Sequence, residues 1–376
     1  MPQDPRWVDV LVLAWAAATG ACVGSFLNVC VYRLPRRCLS VRRPARSFCP
    51  ACGRQLRWHE NVPILSWLAL RARCAGCKGR IGLRYPLVEA ATLLAFLALA
   101  WRDLAGRVVE PEAWGLFLAH ATLVSSLLVC ALVDLEFRVI PDEIDVPGIL
   151  LAPLAVLAVP SLFAPIPPDV GALARAAWEV LESPLGWWGL PAAAQGLDAL
   201  AGLGTSHPEA ARRLGALLGA IVGASVGAGF VYGTGVAFSR LVGQEAMGFG
   251  DVKLMGMLGA IVGWQGVVLT VLLACVLGSF GGVVHMVLSG RSTLVGRDLE
   301  DEGLTPLRRL ALALTGARGP ARPEDPVPIR PGTGLFARFA TGDPYVPFGP
   351  YLVAGGLVAA FWPEALQRLV ALITVR

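Results

Sequence analysis

The chain has 376 residues, of which 55% are hydrophobic and 16% are charged, with a formal net charge of +5 and a mean hydropathy of +0.62. This apolar share exceeds the roughly 45–50% of soluble domains, so the composition excludes an ordinary soluble protein and predicts a polytopic membrane protein. The excess of positive charge is concentrated in one loop, and it gives no reason to expect nucleic-acid binding.

Apolar stretches long enough to cross a hydrocarbon core of about 30 Å recur along the chain. The predicted fold class is an all-α polytopic membrane protein with a small zinc-bound cytoplasmic loop domain. We predict about eight transmembrane helices, at residues 8–32, 86–101, 113–133, 144–163, 214–238, 252–263, 264–288 and 348–370. The stretch from Val252 to Leu288 is long and interrupted, so it is either two helices or one helix with a re-entrant turn.

The loop at residues 33–85 contains thirteen Arg or Lys residues and a single acid, Glu60. The leading segment carries Asp4 and Asp9 against a single Arg6. Because positively charged loops stay in the cytoplasm, the N-terminus is predicted to lie outside and the basic loop inside. Counting the spans forward from there places Asp134 and Asp251 at the cytoplasmic face.

The same loop carries two C-x-x-C pairs with 21 residues between them, which is close to the spacing of a four-thiolate zinc site. The four residues are Cys49, Cys52, Cys74 and Cys77. A metal is the natural interpretation in a reducing cytoplasm, where disulfides do not persist. Since the loop has little apolar content, bound Zn²⁺ would supply much of its folding free energy. A fortuitous cluster and a redox pair are the alternatives.

Two aspartates lie at the ends of apolar runs, Asp134 in ALVDLEFRVIPD and Asp251 in GFGDVKLMG. A carboxylate at the edge of a bilayer costs a few kcal/mol, so a chemical role is expected; ordinary solvated helix caps are the alternative. If the fold unites them across 117 positions, the two like charges share one proton. One carboxylate then activates water while its partner polarises a carbonyl, and neither role is assigned to a particular Asp.

Residues next to the second aspartate are candidates for shaping the site. Gly248 and Gly250 leave the backbone beside Asp251 accessible to an extended substrate, although packing of small residues or a simple turn also explains them. Lys253 is either a snorkelling interface residue or a cation that tunes the pair of carboxylates.

Seven motifs follow one another along the chain. They are GSFLNVCVYRLP, the paired C-x-x-C motifs, HENVPILSWLALRARC, RYPLVE, the D-x-x-x-x-x-I-P-D element, GFGD and PFGPYL. Together they resemble the bacterial type IV prepilin peptidases, which are bifunctional leader peptidases and N-methyltransferases of type IV pilus and type II secretion systems. The GFGD motif alone would be weak, and it becomes specific in the company of the others.

The resemblance implies that Asp134 and Asp251 are the catalytic residues of a GxGD-type aspartyl protease in the cytoplasmic (inner) membrane, with its active site facing the cytoplasm. Such an enzyme removes the basic leader of a prepilin or pseudopilin after a glycine and then methylates the new N-terminus. The family's late P-F-G-P element is expected near the aspartates, where it shapes the site without reacting. Its residues here are Pro347, Phe348, Gly349 and Pro350.

The resemblance also implies S-adenosylmethionine as the methyl donor. The chain has no G-x-G-x-x-G motif after a strand, and the basic loop is too short for a Rossmann domain. The methyltransferase candidates are therefore polar residues of the zinc loop and its flanks, namely Glu60, Asn61 and Glu89. His59 is expected to be exposed, because four thiolates already complete a tetrahedron around zinc.

The predicted organisation alternates helices and loops. We divide the chain into a first transmembrane helix (1–32), a cytoplasmic zinc-binding and methyltransferase-associated loop (33–85), helices with the first aspartate (86–165), an external insertion (166–212), helices with GxGD (213–288), a cytoplasmic Pro-rich loop (289–347) and a last helix (348–376). The insertion is expected to hold an amphipathic helix around Leu173 to Leu181, with Trp187 and Trp188 at the bilayer interface.

The expected partners are prepilin or pseudopilin substrates and membrane lipid, with no nucleic acid. Two alternatives stay open: a leader peptidase without methyltransferase activity, and an ion-coupled membrane transporter. The intact cysteine quartet argues against the first. No inverted-repeat halves are visible in the sequence, which argues against the second.

Overall fold

The computed structural model describes residues 6–36, 41, 44, 46–162, 207–242, 248–289 and 348–362. Its helices are α1 Arg6–Arg33, α2 Leu65–Ala69, α3 Arg84–Asp103, α4 Pro111–Phe137, α5 Asp142–Ala158, α6 Pro208–Val242, α7 Phe249–Ser289 and α8 Gly349–Phe361, with short 3₁₀ turns at Trp58–Glu60 and Pro160–Leu162. These described ranges hold two isolated antiparallel bridges and no strand. The prediction of an all-helical chain is confirmed for this part of the protein.

Five of the described helices are long and apolar enough to cross a bilayer, namely α1, α3, α4, α6 and α7. The apolar helix α8 has 13 residues, and α5 has 17 residues with Pro147 and Pro153 inside it. The chain is therefore a multi-pass membrane protein. The predicted count of eight spans stays a prediction, and most of the two predicted insertions, with Trp187 and Trp188, lies outside the described residues.

The long apolar stretch between Val252 and Leu288 forms two helical segments of α7, which are separated by a break at Gly263, the boundary predicted between residues 252–263 and 264–288. The backbone there has φ 67° and ψ 176°, which is not helical and which glycine adopts at little cost. The interruption in the sequence therefore corresponds to a kink within α7.

The chain divides into two compact units. The first unit contains α1 to α4, the loop that joins α1 to α3, the end of α6, both ends of α7 and the beginning of α8. The second contains nearly all of α5, most of α6 and the kinked middle of α7.

In the first unit, α1 and α3 pack closely because α1 presents glycines to α3. A Cβ at Gly20 would lie 2.7 Å from Cβ of Phe96, and one at Gly24 would lie 2.7 Å from Cα of Glu89. Small residues at such positions let two transmembrane helices approach.

Polar contacts define the two ends of this unit. At one end, the backbone N–H of Gly106, between α3 and α4, donates to Asp9 at the start of α1 (3.0 Å). At the other end, Arg84 at the start of α3 forms an ion pair with Glu136 near the end of α4. The end of α1, the start of α3 and the end of α4 therefore lie at the same end of the unit.

In the second unit, α6 and α7 contact each other through two G-x-x-x-G motifs, Gly223 with Gly227 and Gly259 with Gly263. A Cβ at Gly223 would overlap the carbonyl oxygen of Gly259, and the reverse also holds. The two backbones are in direct contact, as is common for this motif in membranes.

Candidate functional site

Asp134 lies in the last turn of α4 and is 7% exposed. The helix ends at Arg138, whose left-handed φ of 58° closes the last turn with a 2.8 Å hydrogen bond from its N–H to the Asp134 carbonyl. Oδ2 of the Asp134 side chain accepts a hydrogen bond of 3.1 Å from the backbone N–H of Gly349. A contact from a distant part of the chain thus orients this carboxylate.

Asp251 lies in the first turn of α7. Its carboxylate is near enough to Asp134 for the two charges to interact. Its backbone N–H donates to the Gly248 carbonyl (3.1 Å), which tightens the turn into the helix. A Cβ at Gly250 would lie 3.0 Å from Cβ of Ile140, in the segment that follows Asp134. Only a residue without a side chain fits there without moving Ile140.

Phe348, Gly349 and Pro350 of the P-F-G-P element lie at the start of α8. The carbonyl of Phe348 accepts hydrogen bonds from the N–H groups of Tyr351 and Leu352 (3.0 and 3.2 Å). Pro350 stands in the first turn, where its missing N–H costs no helical hydrogen bond. A Cβ at Gly349 would lie 2.5 Å from Asp134 Oδ2, so this position has to be glycine if the carboxylate keeps its place.

Two residues that were predicted to shape this site remain, Pro347 and Lys253. Pro347 lies outside the described residues. Lys253 is half-buried and belongs to the second unit, and its role in tuning the carboxylates stays a prediction. Asp134, Asp251, Gly248, Gly250 and Gly349 all lie in the first unit.

The four loop cysteines form a cluster in which all sulfur atoms lie within 4.8 Å of one another. The Sγ atoms of Cys49 and Cys77 are 3.9 Å apart, close to the roughly 3.8 Å between sulfurs that a tetrahedral site with Zn–S bonds of about 2.3 Å requires. The donor set therefore fits a metal ion such as Zn²⁺.

The cluster is built from two copies of one turn. An antiparallel bridge joins Phe48 to Gln55 around the first C-x-x-C, and an equivalent bridge joins Arg73 to Arg80 around the second. The residue that follows each C-x-x-C pair has a left-handed φ, which is 70° at Gly53 and 59° at Lys78. The two turns have the same register relative to their cysteines, so each presents two sulfurs in the same way.

Backbone N–H groups already favour thiolate in this cluster. Those of Cys77 and Gly76 hydrogen-bond the Cys74 sulfur and lower the pKa of its thiol to about 6. Burial raises the pKa of Cys49 to about 11, although hydrogen bonds from the backbone N–H groups of Cys52 and Ala51 act in the opposite direction. Of these two neighbouring thiols, Cys74 is the one that the loop backbone stabilises as a thiolate.

Glu60 is buried and held on both carboxylate oxygens. Arg54 donates to Oε1 and Oε2 at 2.9 Å each, and the backbone N–H of Arg57 donates to Oε2 at 2.9 Å. The Arg57 N–H, followed by Arg54, lowers the pKa of Glu60. Arg54 also interacts with the thiol of Cys74, so Glu60 is linked through Arg54 to the cysteine cluster. Arg54 was not among the residues predicted for this site, because no sequence motif marks it.

The other methyltransferase candidates have different surroundings. Glu89 is 8% exposed; it accepts a 2.7 Å hydrogen bond from the Ile64 N–H and a second one from the Ser25 hydroxyl. Asn61 follows the Trp58–Glu60 turn and lines a cavity beside α1. His59 is exposed, as expected.

Two family models match the chain. The Bacterial Peptidase A24 N-terminal domain matches residues 18–103, which include the cysteine loop, and the Type IV leader peptidase family matches residues 184–283, which include Asp251. Asp134 lies between the two matched regions.

Curated relatives match nearly the whole chain. The prepilin leader peptidase/N-methyltransferase of Myxococcus xanthus is 31% identical over 97% of this chain and 94% of its own length. The proteins of the same name from Pseudomonas putida and Pseudomonas aeruginosa are 32% and 29% identical, over 71% and 93% of this chain and 79% and 90% of their own lengths. No solved structure matches the chain. The chain therefore belongs to the prepilin leader peptidase/N-methyltransferase family.

Proposed function

We propose that this protein is a membrane-embedded aspartyl endopeptidase that removes the leader peptide of type IV prepilins or pseudopilins and N-methylates the new N-terminal residue. Membership of the family supports the two activities. The observation that carries the proposal for this chain is the placement of Asp134 and Asp251, which come from distant helices and lie near enough for their charges to interact.

Hydrolysis follows from two carboxylates that share one proton. The ionised carboxylate takes a proton from water, whose oxygen adds to the scissile carbonyl carbon, while the protonated partner donates a hydrogen bond to the carbonyl oxygen. Collapse of the adduct breaks the C–N bond, and the leaving amine takes up a proton. The Gly349 N–H holds one Asp134 oxygen throughout.

Both chemistries belong at the cytoplasmic face of the inner membrane. The loop at residues 33–85 carries thirteen basic residues, and positive loops stay in the cytoplasm. The ion pair between Arg84 and Glu136 joins the end of that loop to the end of α4, two residues from Asp134. We further propose the eight-helix topology and the seven-part division of the chain given above.

Zn²⁺ is proposed as a structural ion on Cys49, Cys52, Cys74 and Cys77, since the sulfurs fit it. S-adenosylmethionine supplies an electrophilic methyl group when bound. The described residues offer it a cavity bordered by Asn61.

Mass spectrometry of a co-expressed prepilin tests both activities in one measurement. We expect a product that has lost its leader and gained one methyl group, and no processed product from cells with an Asp251→Asn variant. Full-length prepilin in the presence of the wild-type protein would contradict the peptidase, and a cleaved but unmethylated product would contradict the methyltransferase alone.

A further inference from the structure

Asp134 stands in the last turn of α4, which ends at Phe137. Helix ends fray more easily than helix interiors, yet a catalytic carboxylate has to keep its place to within about 0.5 Å. The hydrogen bond from Gly349 orients the Asp134 side chain. The turn that carries this side chain needs contacts of its own, and those contacts bear directly on the peptidase.

The first contact comes from the end of the loop at residues 33–85. Arg84 forms an ion pair with Glu136, the second residue after Asp134. The two side chains are only 13% and 16% exposed, so water and salt screen their attraction weakly. Removal of either member of such a pair is costly, because a largely buried charge loses its opposite charge.

The second contact comes from the beginning of the same loop. The guanidinium of Arg36 lies 4.0 Å from the ring centroid of Tyr32 and 5.0 Å from that of Phe137, distances at which a cation is attracted to an aromatic ring. The Arg36 side chain also donates to the Tyr32 carbonyl near the end of α1. Arg36 therefore joins α1 to the last residue of α4, three positions after Asp134.

Both cations lie where positive charge is favourable. Arg36 and Arg84 contact the C-terminal end of α4, where the helix dipole stabilises cations. Each is also fixed to the rest of the first unit. The Tyr32 ring packs against the Phe48 ring with 6.1 Å between centroids, and the Tyr85 carbonyl accepts a 3.1 Å hydrogen bond from Asn28 of α1. The two ends of the loop therefore hold the same turn of α4.

We propose that Arg84 and Arg36 are positioning residues of the peptidase. Through Glu136 and Phe137 they fix the last turn of α4, and this keeps the Asp134 carboxylate in place for hydrolysis. The inference rests on the proposed function. Since the two arginines act on the position of a catalytic group, their loss should slow the chemical step and lower kcat, while KM changes little.

The test is steady-state cleavage of a prepilin by the purified full-length protein, with kcat counted per folded molecule after size-exclusion chromatography. We expect Arg84→Gln and Glu136→Gln to lower kcat at least about tenfold at a near-wild-type KM, since a displacement of about 1 Å can cost about 100-fold. Arg36→Leu removes a cation–π contact and should lower kcat by about threefold.

Arg107→Gln is the matched control. Arg107 forms an ion pair with Glu110 between α3 and α4, at the other end of the unit, and the two side chains are 40% and 41% exposed. An exposed pair contributes little, so kcat should stay at the wild-type value. A merely structural defect at Arg84 would reduce the yield of folded protein and leave kcat per folded molecule unchanged.

Two further variants separate the charge from the fold. Arg84→Lys keeps the positive charge and should retain more of kcat than Arg84→Gln. The charge reversal Arg84→Glu with Glu136→Arg restores an ion pair, and it should recover most of the kcat that either reversal alone loses. Failure of both Arg84→Lys and the charge reversal to recover activity would overturn the role of the ion pair.

Wild-type kcat in Arg84→Gln would also overturn the role of the ion pair, and wild-type kcat in Arg36→Leu would overturn that of the contact with Phe137. An equal loss in Arg107→Gln would overturn both. If the wild-type protein leaves prepilin uncut, the proposed peptidase function fails. If the wild-type protein and all the arginine variants cleave equally fast, the positioning role alone is wrong.

Discussion

The backbone N–H of Gly349 donates a hydrogen bond to Asp134 Oδ2 across 215 positions of the sequence. Gly349 begins α8, so the carboxylate faces the N-terminal end of a helix, where backbone N–H groups stabilise negative charge. The contact joins the family's P-F-G-P element to the first aspartate and gives that element a physical role.

Gly349→Ala is expected to displace the Asp134 carboxylate, because the added Cβ would lie 2.5 Å from its Oδ2. Misplacement of a catalytic group by about 1 Å can cost about 100-fold in rate, and we expect a loss of that order in leader cleavage. Gly282→Ala is the matched control, since a Cβ there has no atom within 4 Å. Cleavage at the wild-type rate by the Gly349 variant would show that Asp134 needs no fixed position.

Asp134→Asn and Asp251→Asn should each abolish leader cleavage while the protein still inserts into the membrane. Removal of general acid–base catalysis lowers rates by about 10²–10⁴-fold, and neither amide can hold the shared proton. Glu143→Gln is the control, because Glu143 is an exposed acid close to Asp134 in the chain. A prepilin cleavage assay in membranes gives the rates, and residual activity near wild type in either Asn variant would refute the catalytic pair.

The sequence allowed prediction of features that depend on short spacings. The two C-x-x-C pairs are local turns, so their spacing was enough to indicate a cluster whose sulfurs lie within 4.8 Å. The positive charge of the loop and the order of the apolar runs predicted that Asp134 lies at the same end of the helices as the basic loop. The ion pair between Arg84 and Glu136 joins the two. The kink at Gly263 falls where the apolar run is interrupted.

Features that depend on packing between distant segments were not predictable in this way. The cavity beside Asn61 lies where the guanidinium of Arg33 binds the carbonyls of Val41 and Pro44, a contact between α1 and the loop that no motif marks. The Arg54 contact with Glu60 depends on where the turn after the first cysteine pair places a long side chain. The G-x-x-x-G motifs of α6 and α7 are visible in the sequence, but their pairing requires the helices to be neighbours.

Cys49→Ser and Cys74→Ser should each lower the zinc content of the purified protein, since three thiolates leave the tetrahedron incomplete. Methylation is expected to fall with zinc content, because the cluster holds the segment with Asn61. Cys275→Ser, at an exposed position of α7, is the control. Elemental analysis gives the zinc content, and a full zinc complement in both loop variants would remove the metal assignment.

Acidification should release the metal, because protons compete for the thiolates. The pKa of Cys74 is lowered from 9.0 to about 6 in the folded loop, so its contribution to stability is complete above pH 9 and is lost as the pH falls toward 6. The pKa of Cys49 is raised to about 11, so its contribution to stability is complete below pH 9 and stays constant between pH 9 and pH 5. We expect zinc retention to fall steeply near and below pH 6. Constant retention between pH 8 and pH 5 would contradict this.

Glu60→Ala should weaken zinc binding although Glu60 is not a ligand. The substitution leaves Arg54 without its carboxylate partner. Arg54 in turn interacts with the Cys74 thiol, so its position affects the cysteine cluster. Loss of such an outer contact typically costs about 10–100-fold in metal affinity. Arg57→Ala is the control, because it removes one exposed positive charge and leaves the backbone N–H that contacts Glu60. Competition with a zinc chelator measures the affinity, and equal affinities for both variants would make Glu60 irrelevant to the cluster.

Gly223→Val should destabilise the second unit. A Cβ at Gly223 would overlap the carbonyl oxygen of Gly259 on α7. The Cβ is bonded to the backbone of α6 and the oxygen belongs to the backbone of α7, so neither atom can move without its helix, and the two helices would have to separate. Overpacking of this kind costs about 1–3 kcal/mol, which should lower the thermal unfolding midpoint in detergent by several degrees. Gly229→Val, on the same helix with no atom within 4 Å of its Cβ, should leave the midpoint unchanged. Because the change from Gly to Val alters helix propensity by the same small amount at either position, the difference between the two variants isolates the contact with α7. Equal midpoints would mean that α6 and α7 do not touch at these glycines.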